Sequence, residues 1–144
     1  MIKYIITGGA GFIGSHLVEA LIKKNKKVVV LDNLSTGRLA NIKKFRNKIK
    51  FINCDLSLKG KWTKEFKGKC CVFHLASLAD IVPSIQQPKK YFQSNVTGTL
   101  NVLEACRNAT ITKFLYSASS SCYGIAKSYP TPENEKINPM YPYA

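Results

Sequence analysis

The sequence predicts an α/β fold, a doubly wound parallel sheet with helices on both faces. Short, continuously apolar segments recur along the chain, as expected for strands that are covered on both faces. Segments with helical periodicity lie between them, and this alternation is typical of a parallel sheet. Right-handed connections then predict the strand order 3-2-1-4-5 of a Rossmann-type sheet, with a ligand crevice between strands 1 and 4.

The predicted elements span the 144 residues, which we interpret as one domain, 1–144. Strands are expected at 2–7, 27–31, 49–53, 70–75 and 113–117. Helical segments are expected at 12–24, 39–45, 61–66 and 89–107. Four prolines follow Ser120, so the C-terminal stretch is predicted to be rich in loops.

The composition limits the classes of partner. The net charge of +14 comes from 19 lysines and only 3 arginines against 8 acidic residues. Basic surfaces are typical of nucleic-acid-binding proteins, but no aromatic residues interleave with these lysines. We therefore expect a solvated lysine surface and no nucleic-acid partner. No apolar run approaches membrane-spanning length, so no membrane association is expected.

The five cysteines contain no C-x-x-C pair. Their number and spacing predict reduced thiols in a cytoplasmic protein and no metal site.

A glycine loop lies between the first strand and the first helix. Residues 7–14 read T-G-G-A-G-F-I-G, with glycines at Gly8, Gly11 and Gly14 around Phe12 and Ile13. Glycines let the backbone approach a pyrophosphate, and a helix N-terminus offers unpaired N–H groups and a positive dipole end. The loop therefore predicts a dinucleotide-binding site.

Asp32 ends the second strand, about twenty residues beyond the glycine loop. A carboxylate there can accept hydrogen bonds from both ribose hydroxyls and would repel a 2′-phosphate, which favours NAD over NADP. The nearby Arg38 leaves NADP open as an alternative. A simple turn before Asn33 is the other alternative for Asp32.

These motifs resemble the TGxxGxxG fingerprint of the extended short-chain dehydrogenases/reductases, the family of NAD-dependent nucleotide-sugar epimerases and dehydratases. The resemblance covers the whole chain and, within the family, is strongest to the UDP-glucose 4-epimerases. It implies an N-terminal NAD-binding domain whose substrate-binding domain lies outside this chain. It also implies a homodimer formed partly through the long helix at 95–107.

The resemblance assigns further contacts to the cofactor. The ribose loop and adenine edge are implied for Asn33, Ser35, Thr36, Gly37, Asp55 and Leu56. The nicotinamide side is implied for Leu75, Ala76, Ser77, Asn95, Ser117 and Tyr143. A helix N-cap is the alternative role for Asp55. His74 has no carboxylate or serine partner in the motif, so we interpret it as a packed residue and not a catalytic one.

The resemblance also implies the catalytic groups. Ser119 occupies the hydroxyl position of an S-S-x-x-x-Y-G pattern, and a generic serine-rich loop is the alternative. Tyr143 would be the general base of a Tyr-x-x-x-Lys motif whose lysine would fall beyond Ala144, with Tyr141 as the fallback. The next two residues, Ser120 and Ser121, would face the substrate together with Ser119.

Dehydratases of the family carry Asp-Glu where this chain has two serines, so an epimerase is favoured. The predicted function is NAD-dependent epimerisation of a nucleotide sugar at C4 through a 4-keto intermediate, with this chain inactive by itself. The alternatives are a related enzyme acting on UDP-glucuronate or a UDP-N-acetylhexosamine, a noncatalytic NAD-binding regulator, and an RNA-binding relative.

Overall fold

A computed structural model describes residues 2–144, and its centre is a five-stranded parallel sheet. The strands are β1 (Lys3–Thr7), β2 (Lys27–Asp32), β3 (Ile49–Asn53), β4 (Cys70–His74) and β5 (Ile111–Tyr116). Their order is β3-β2-β1-β4-β5, and every neighbouring pair is parallel, which confirms the predicted topology. The order reverses between β1 and β4, so the carboxyl ends of these two strands border a crevice.

Helical segments connect the strands. The α-helices are α1 (Phe12–Lys23), α2 (Leu39–Ile42), α3 (Ile81–Gln86), α4 (Pro88–Tyr91) and α5 (Gly98–Arg107). Shorter 3₁₀ segments occupy Lys43–Lys48, Lys61–Phe66 and Ser120–Tyr123. A π-helical segment, Phe92–Thr97, joins α4 to α5 without a break in the helical path.

Several boundaries differ from the sequence prediction. The helix predicted at 39–45 is a four-residue α-helix followed by a 3₁₀ segment, and 61–66 is 3₁₀ as a whole. Helix α3 was not predicted; its third residue is Pro83, and proline is tolerated in the first turn of a helix. Strand β5 begins at Ile111, two residues before the prediction.

The core consists of two apolar clusters, one on each face of the sheet, because successive strand side chains point to opposite faces. One cluster includes Ile5, Leu31 and Val72 with Phe66 from the second 3₁₀ segment. The other includes Ile6, Val28, Val30, Val18 and Ile42. Burying each such side chain contributes about 1.5–3 kcal/mol. The two clusters fix the central strands and therefore the loops at their carboxyl ends.

Strand β5 is covered less than the others. None of its six residues is buried, whereas β2 is buried from Val28 to Asp32. β5 forms one edge of the sheet, and its Leu115 and Tyr116 are exposed. Among residues 2–144, no helix is both long and apolar enough to cross a bilayer.

Candidate functional site

The glycine loop leaves β1 in a conformation that requires glycine. Gly8 has φ +68°, and a Cβ there would lie 2.8 Å from the amide nitrogen of Ala76, just beyond β4. A Cβ on Gly14 would overlap the carbonyl oxygen of Gly8. Glycine at these positions therefore lets the loop, the first turn of α1 and the end of β4 approach one another closely.

The N-terminus of α1 presents unpaired backbone amides at the glycine loop. Gly11 is its N-cap residue and contributes no capping side chain, and no acidic residue occupies the first turn. The Gly11 amide donates to the Gly8 carbonyl at 3.1 Å, and Ser15 closes the first helical hydrogen bond to the Gly11 carbonyl at 3.0 Å. The amides of Phe12, Ile13 and Gly14 thus have no helical acceptor. Together with the helix dipole they form a site for an anionic group.

Asp32 is buried at the end of β2, and backbone amides from two loops hold its carboxylate. Oδ2 accepts from the amide of Ala10 at 2.9 Å, and Oδ1 accepts from the amide of Leu34 at 2.8 Å. Gly37 packs so closely that a Cβ there would lie 2.8 Å from Oδ1. A carboxylate has about four acceptor positions, so two remain for hydroxyl donors. Asp32 therefore shapes its turn and also faces the cavity.

Asp55 follows β3 and forms a local turn. Its Oδ1 accepts from the amide of Ser57 at 2.8 Å and from the Ser57 hydroxyl at 2.7 Å. No helix begins at Asp55, so the alternative role as a helix N-cap is wrong. Burial, reinforced by the carboxylates of Asp32 and Asp55, raises the pKa of the neighbouring Cys54 thiol to about 11. Cys54 is therefore a neutral thiol at physiological pH.

A cavity of about 280 Å³ opens at the carboxyl ends of β1, β2 and β3. Its walls bring together most residues predicted to bind the cofactor: Gly8, Gly11, Phe12, Ile13, Gly14, Asp32, Asn33, Ser35, Thr36, Gly37, Asp55, Leu56, Leu75, Ala76, Ser77 and Ser117. We call this the first cavity. The sequence interpretation missed five further wall residues, Leu31, Cys54, Ser57, Ala79 and Ser94. The place of Cys54 directly after a strand was a usable signal, because ligands bind beyond the carboxyl ends of parallel strands.

His74 ends β4 in a fully hydrogen-bonded position, 2 % exposed. The Thr7 hydroxyl accepts from the amides of Leu75 and Ala76, both at 3.1 Å, so its proton goes to His74 Nδ1, 2.7 Å away. His74 Nε2 then carries the hydrogen and donates to the Thr99 hydroxyl at 2.8 Å. Burial lowers the pKa of His74 to about 4, so the ring is neutral at physiological pH. His74 thus joins β1, β4 and α5, in agreement with the packed role predicted for it.

Asn95 lies within the π-helical segment and holds the loop that follows β4. Its Oδ1 accepts from the amide of Leu78 and its Nδ2 donates to the Leu78 carbonyl, both at 2.9 Å. π-Turns inside helices are frequent at functional sites. Here the turn directs the Asn95 amide to a loop that borders the crevice.

A second cavity of about 710 Å³ adjoins the first and shares Ser77 and Ser117 with it. Its walls include Ser119, Asn95 and Tyr143, together with Tyr116 at the end of β5. The two predicted catalytic side chains therefore border one space. Tyr141, the fallback base, is not part of this wall.

Ser119 is the N-cap of the last 3₁₀ segment, and its hydroxyl accepts from the amide of Ser121 at 3.1 Å. Ser120 is exposed, and neither it nor Ser121 lines either cavity. Substrate contact by these two serines stays a prediction. Within residues 2–144 no cluster of three or more potential metal-ligating side chains occurs, and all five cysteines are free thiols.

Comparisons with known proteins match this geometry. The family model described as GDP-mannose 4,6 dehydratase matches residues 5–144. A UDP-glucose 4-epimerase from Lactobacillus helveticus is 37% identical over an alignment of 144 positions that covers 98% of this chain and 42% of that protein.

Solved structures resemble the fold closely. A UDP-N-acetylglucosamine 4-epimerase from Methanobrevibacter ruminantium, solved with UDP-N-acetylmuramic acid, superposes with a TM-score of 0.90 at 39% identity. A UDP-glucose 4-epimerase from Thermus thermophilus, solved with NAD, gives a TM-score of 0.84 at 34% identity. Each alignment covers 98% of this chain, but only 45% and 46% of the respective relative. This chain therefore spans less than half the length of the proteins it matches.

The family model matches nearly the whole chain, and the two named structures superpose on 98% of it with TM-scores of 0.90 and 0.84. The chain therefore belongs to the GDP-mannose 4,6 dehydratase family of NAD-dependent epimerases and dehydratases, and it is similar to 4-epimerases of UDP-sugars within that family.

Proposed function

We propose that this chain forms the NAD-binding domain of an enzyme that epimerises a nucleotide sugar at C4. The observation that carries the proposal is the first cavity, where the free amides of α1 and the Asp32 carboxylate face one space. The amides suit a pyrophosphate, and the carboxylate suits the hydroxyls of an unphosphorylated ribose. Similar 4-epimerases, one of them solved with NAD, support the same assignment.

The residues present fit NAD better than NADP. Asp32 is buried with both carboxylate oxygens already oriented by backbone amides, so a 2′-phosphate beside it would meet an uncompensated negative charge. Arg38 donates its backbone amide to the carbonyl of Ala10 in the glycine loop, and its side chain does not line the first cavity. We therefore expect a clear preference for NAD.

The second cavity is the proposed place of reaction. NAD, when bound, supplies reversible acceptance of a hydride. Tyr143 would take the proton of the sugar 4-hydroxyl, and the Ser119 hydroxyl would hydrogen-bond the same oxygen, since both side chains border this cavity. Asn95 would keep the adjoining loop in place through its two hydrogen bonds to Leu78.

Epimerisation is favoured over dehydration, although the matching family model carries a dehydratase description. Eliminating water needs a general acid and a base near the second carbon of the reaction. Ser120 and Ser121 occupy the two positions after Ser119, and neither side chain can supply a carboxylate. Hydride and proton exchange at one carbon needs no such pair.

A second candidate concerns the sugar. The Methanobrevibacter ruminantium relative is named a UDP-N-acetylglucosamine 4-epimerase and is 39% identical over nearly the whole of this chain. We therefore keep an N-acetylhexosamine as a second candidate substrate beside a hexose. A noncatalytic NAD-binding role is the remaining alternative and would not require Tyr143.

Calorimetric titration with NAD and NADP tests the cofactor assignment. We expect the chain to bind NAD at least tenfold more tightly than NADP. Equal affinity, or tighter binding of NADP, would contradict it. By itself the chain should not interconvert UDP-galactose and UDP-glucose in the presence of NAD, and measurable turnover would contradict that expectation.

The role of Tyr143 can be tested in any longer polypeptide that contains this chain and is active. Tyr143→Phe should lower kcat by at least about 100-fold while NAD affinity changes by less than about fivefold. A variant that keeps its full activity would favour the regulatory role. Assaying UDP-galactose beside UDP-N-acetylgalactosamine in the same preparation distinguishes the two sugar candidates.

We also propose a homodimer that uses the outer face of the helix formed by α4, the π-helical segment and α5. Leu100 and Leu103 lie about one turn apart and are both exposed, Leu100 to 56%. Phe92 and Val96 precede them at helical spacing and are exposed as well, although both also border the second cavity. A continuous apolar stripe of this kind is typical of a protein–protein contact. Sedimentation should detect dimers, and Leu100→Lys should shift the population to monomers. An unchanged distribution would contradict the proposal.

A further inference from the structure

Ala10 stands at the middle of the glycine loop, fully buried, with both of its backbone polar groups bonded to the ribose side of the crevice. Its amide donates to Asp32 Oδ2 at 2.9 Å. Its carbonyl accepts two hydrogen bonds, one from the backbone amide of Arg38 at 3.0 Å and one from Nδ2 of Asn41 at 2.8 Å. Hydrogen bonds from a segment about thirty positions later in the sequence therefore hold the middle of the glycine loop in place.

Asn41 is the one side chain among these carbonyl donors. It belongs to α2, and its own amide donates to the Arg38 carbonyl at 3.0 Å, so the first turn of α2 fixes its backbone. Because the Ala10 carbonyl can only accept, the nitrogen of the Asn41 side-chain amide must face it. Asn41 as a whole is exposed and lies outside the apolar clusters. Its side chain therefore serves the loop and not the core.

The Ala10 carbonyl controls the direction of the next amide. The carbonyl of Ala10 and the N–H of Gly11 belong to one planar peptide unit, so neither can turn without the other. The Gly11 N–H points the opposite way within this plane and donates to the Gly8 carbonyl at 3.1 Å. Asn41 and Gly8 thus hold the two ends of the peptide unit that directly precedes the free amides of α1.

We propose that Asn41 is a positioning residue for the pyrophosphate part of the dinucleotide site. It acts through the Ala10–Gly11 peptide unit and keeps the amides of Phe12 and Ile13 directed into the first cavity. This inference rests on the proposed NAD site and adds a residue that does not itself line that cavity.

Removing the Asn41 side-chain donor should weaken the binding only of ligands that carry phosphate. The ribose end has its own support, because Asp32 keeps its hydrogen bond from Leu34 when Asn41 is changed. Adenosine contacts only that end, whereas ADP and NAD also reach the N-terminus of α1. Loss of the Asn41 donor should therefore weaken ADP and NAD together and leave adenosine nearly unchanged.

The experiment compares three variants with the unaltered chain by calorimetric titration of NAD, ADP and adenosine. Asn41→Leu removes the donor at similar size and unchanged charge. Asn41→Gln keeps a donor on a longer side chain. Asn47→Leu is the matched control, an exposed asparagine in the neighbouring 3₁₀ segment with no side-chain hydrogen bond among residues 2–144.

We expect Asn41→Leu to bind NAD and ADP about tenfold more weakly and adenosine within about twofold. Asn41→Gln should recover at least half of the loss on a logarithmic scale, and the control should match the unaltered chain. The melting temperature of Asn41→Leu should fall by no more than about 4 °C, since one hydrogen bond at the surface is lost.

Two results would overturn the inference alone. One is unchanged NAD affinity in Asn41→Leu. The other is equal weakening of adenosine and ADP, which would assign Asn41 to the general stability of the ribose loop. If the unaltered chain binds neither NAD nor ADP, the proposed function fails and the inference fails with it.

Discussion

The two cavities of the crevice share two serines but are held in different ways. The walls of the first consist of tight turns whose polar groups bond to one another across the sheet, as at Asp32 and Ala10. The second has one wall from α4 and the π-helical segment and another from the end of β5 and the irregular chain that follows it. There the backbone bond between Asn138 and Cys122 at 2.8 Å is one of few long-range hydrogen bonds.

The first cavity is therefore preorganised throughout, whereas the second has a helical wall and an opposite wall, after β5, that few long-range hydrogen bonds support. Groups that are already fixed lose little conformational entropy when a ligand binds, so more of their interaction energy appears as affinity. We therefore expect the ADP half of NAD to provide most of its affinity for this chain. The second cavity should gain order only when ligand or further protein covers it.

The largest effect is expected from a substitution at Gly8 in the glycine loop. Gly8→Ala should abolish NAD binding, by more than about 100-fold, and lower the free energy of unfolding by about 4 kcal/mol. Its Cβ would press against the backbone of Ala76 in addition to the strain of a positive φ. Gly68→Ala is the matched control, because Gly68 has φ +85° with open space around it.

The control Gly68→Ala should lower the free energy of unfolding by about 1 kcal/mol and leave NAD affinity unchanged. Urea unfolding and calorimetry measure both quantities. Similar losses in the two variants would show that backbone strain, and not the close approach to Ala76, governs the first cavity.

The next test compares a leucine in the inner strand β2 with a leucine in the edge strand β5. Leu31 in β2 is 0% exposed and Leu115 in β5 is 43% exposed. Leu31→Ala should lower the free energy of unfolding by about 3 kcal/mol, and Leu115→Ala by less than about 1 kcal/mol. Equal losses of the free energy of unfolding, measured by urea unfolding, would mean that β5 is as well covered in solution as β2. The proposed difference between the two regions would then be wrong.

His74 stands where the regions meet and predicts a dependence of stability on pH. Its pKa in the folded protein is lowered to about 4, so the unfolded state binds the proton first as pH falls. The neutral His74 ring therefore makes its full contribution to the free energy of unfolding above about pH 6.5. As pH falls from about 6.5 to about 4 this contribution is lost, and the total loss is about 3 kcal/mol. His74→Gln should remove this part of the pH dependence, whereas His16→Gln at the surface should retain it. If the free energy of unfolding of His74→Gln depends on pH as steeply as that of the unaltered chain, the lowered pKa of His74 is not the cause of this dependence.

The smallest expected effect concerns Asp32. Asp32→Asn should weaken NAD binding about 30-fold, because an amide group cannot accept from two backbone amides and a ribose at once. It should also reduce the preference for NAD over NADP. Asp80→Asn, at an exposed position, provides the control. A loss below threefold would mean that the ribose is held elsewhere.

The sheet and the first cavity could be predicted because their signals are local. The continuous apolar strands set the order β3-β2-β1-β4-β5, and the glycines and Asp32 follow strand ends directly. The hydrogen bond from Asn41 to Ala10 could not be predicted, because it joins residues 31 positions apart and depends on how one short helix turns. The alternative N-cap role of Asp55 failed for a related reason, since Asp favours both caps and turns.

The second half of the crevice gave weaker signals. Tyr143 and Ser119 were placed by resemblance, and the structure locates both beside the second cavity without testing their roles. Helix α3 was missed; it is only six residues long and contains Pro83, so it carries little helical signal in the sequence. The long helix was predicted without its π-helical segment, which has no pattern of its own in the sequence.

That π-helical segment, Phe92–Thr97, determines which amino acids the rest of the helix presents to the sheet. An α-helix advances by about 100° per residue, so removing a single residue from this turn would rotate everything after it by about that angle. Thr99 would then leave His74, and Leu100 and Leu103 would swing off the outer stripe in the same movement. Insertions and deletions within these six positions therefore change an inner contact and an outer surface together, and we expect this stretch to tolerate changes of residue type better than changes of length.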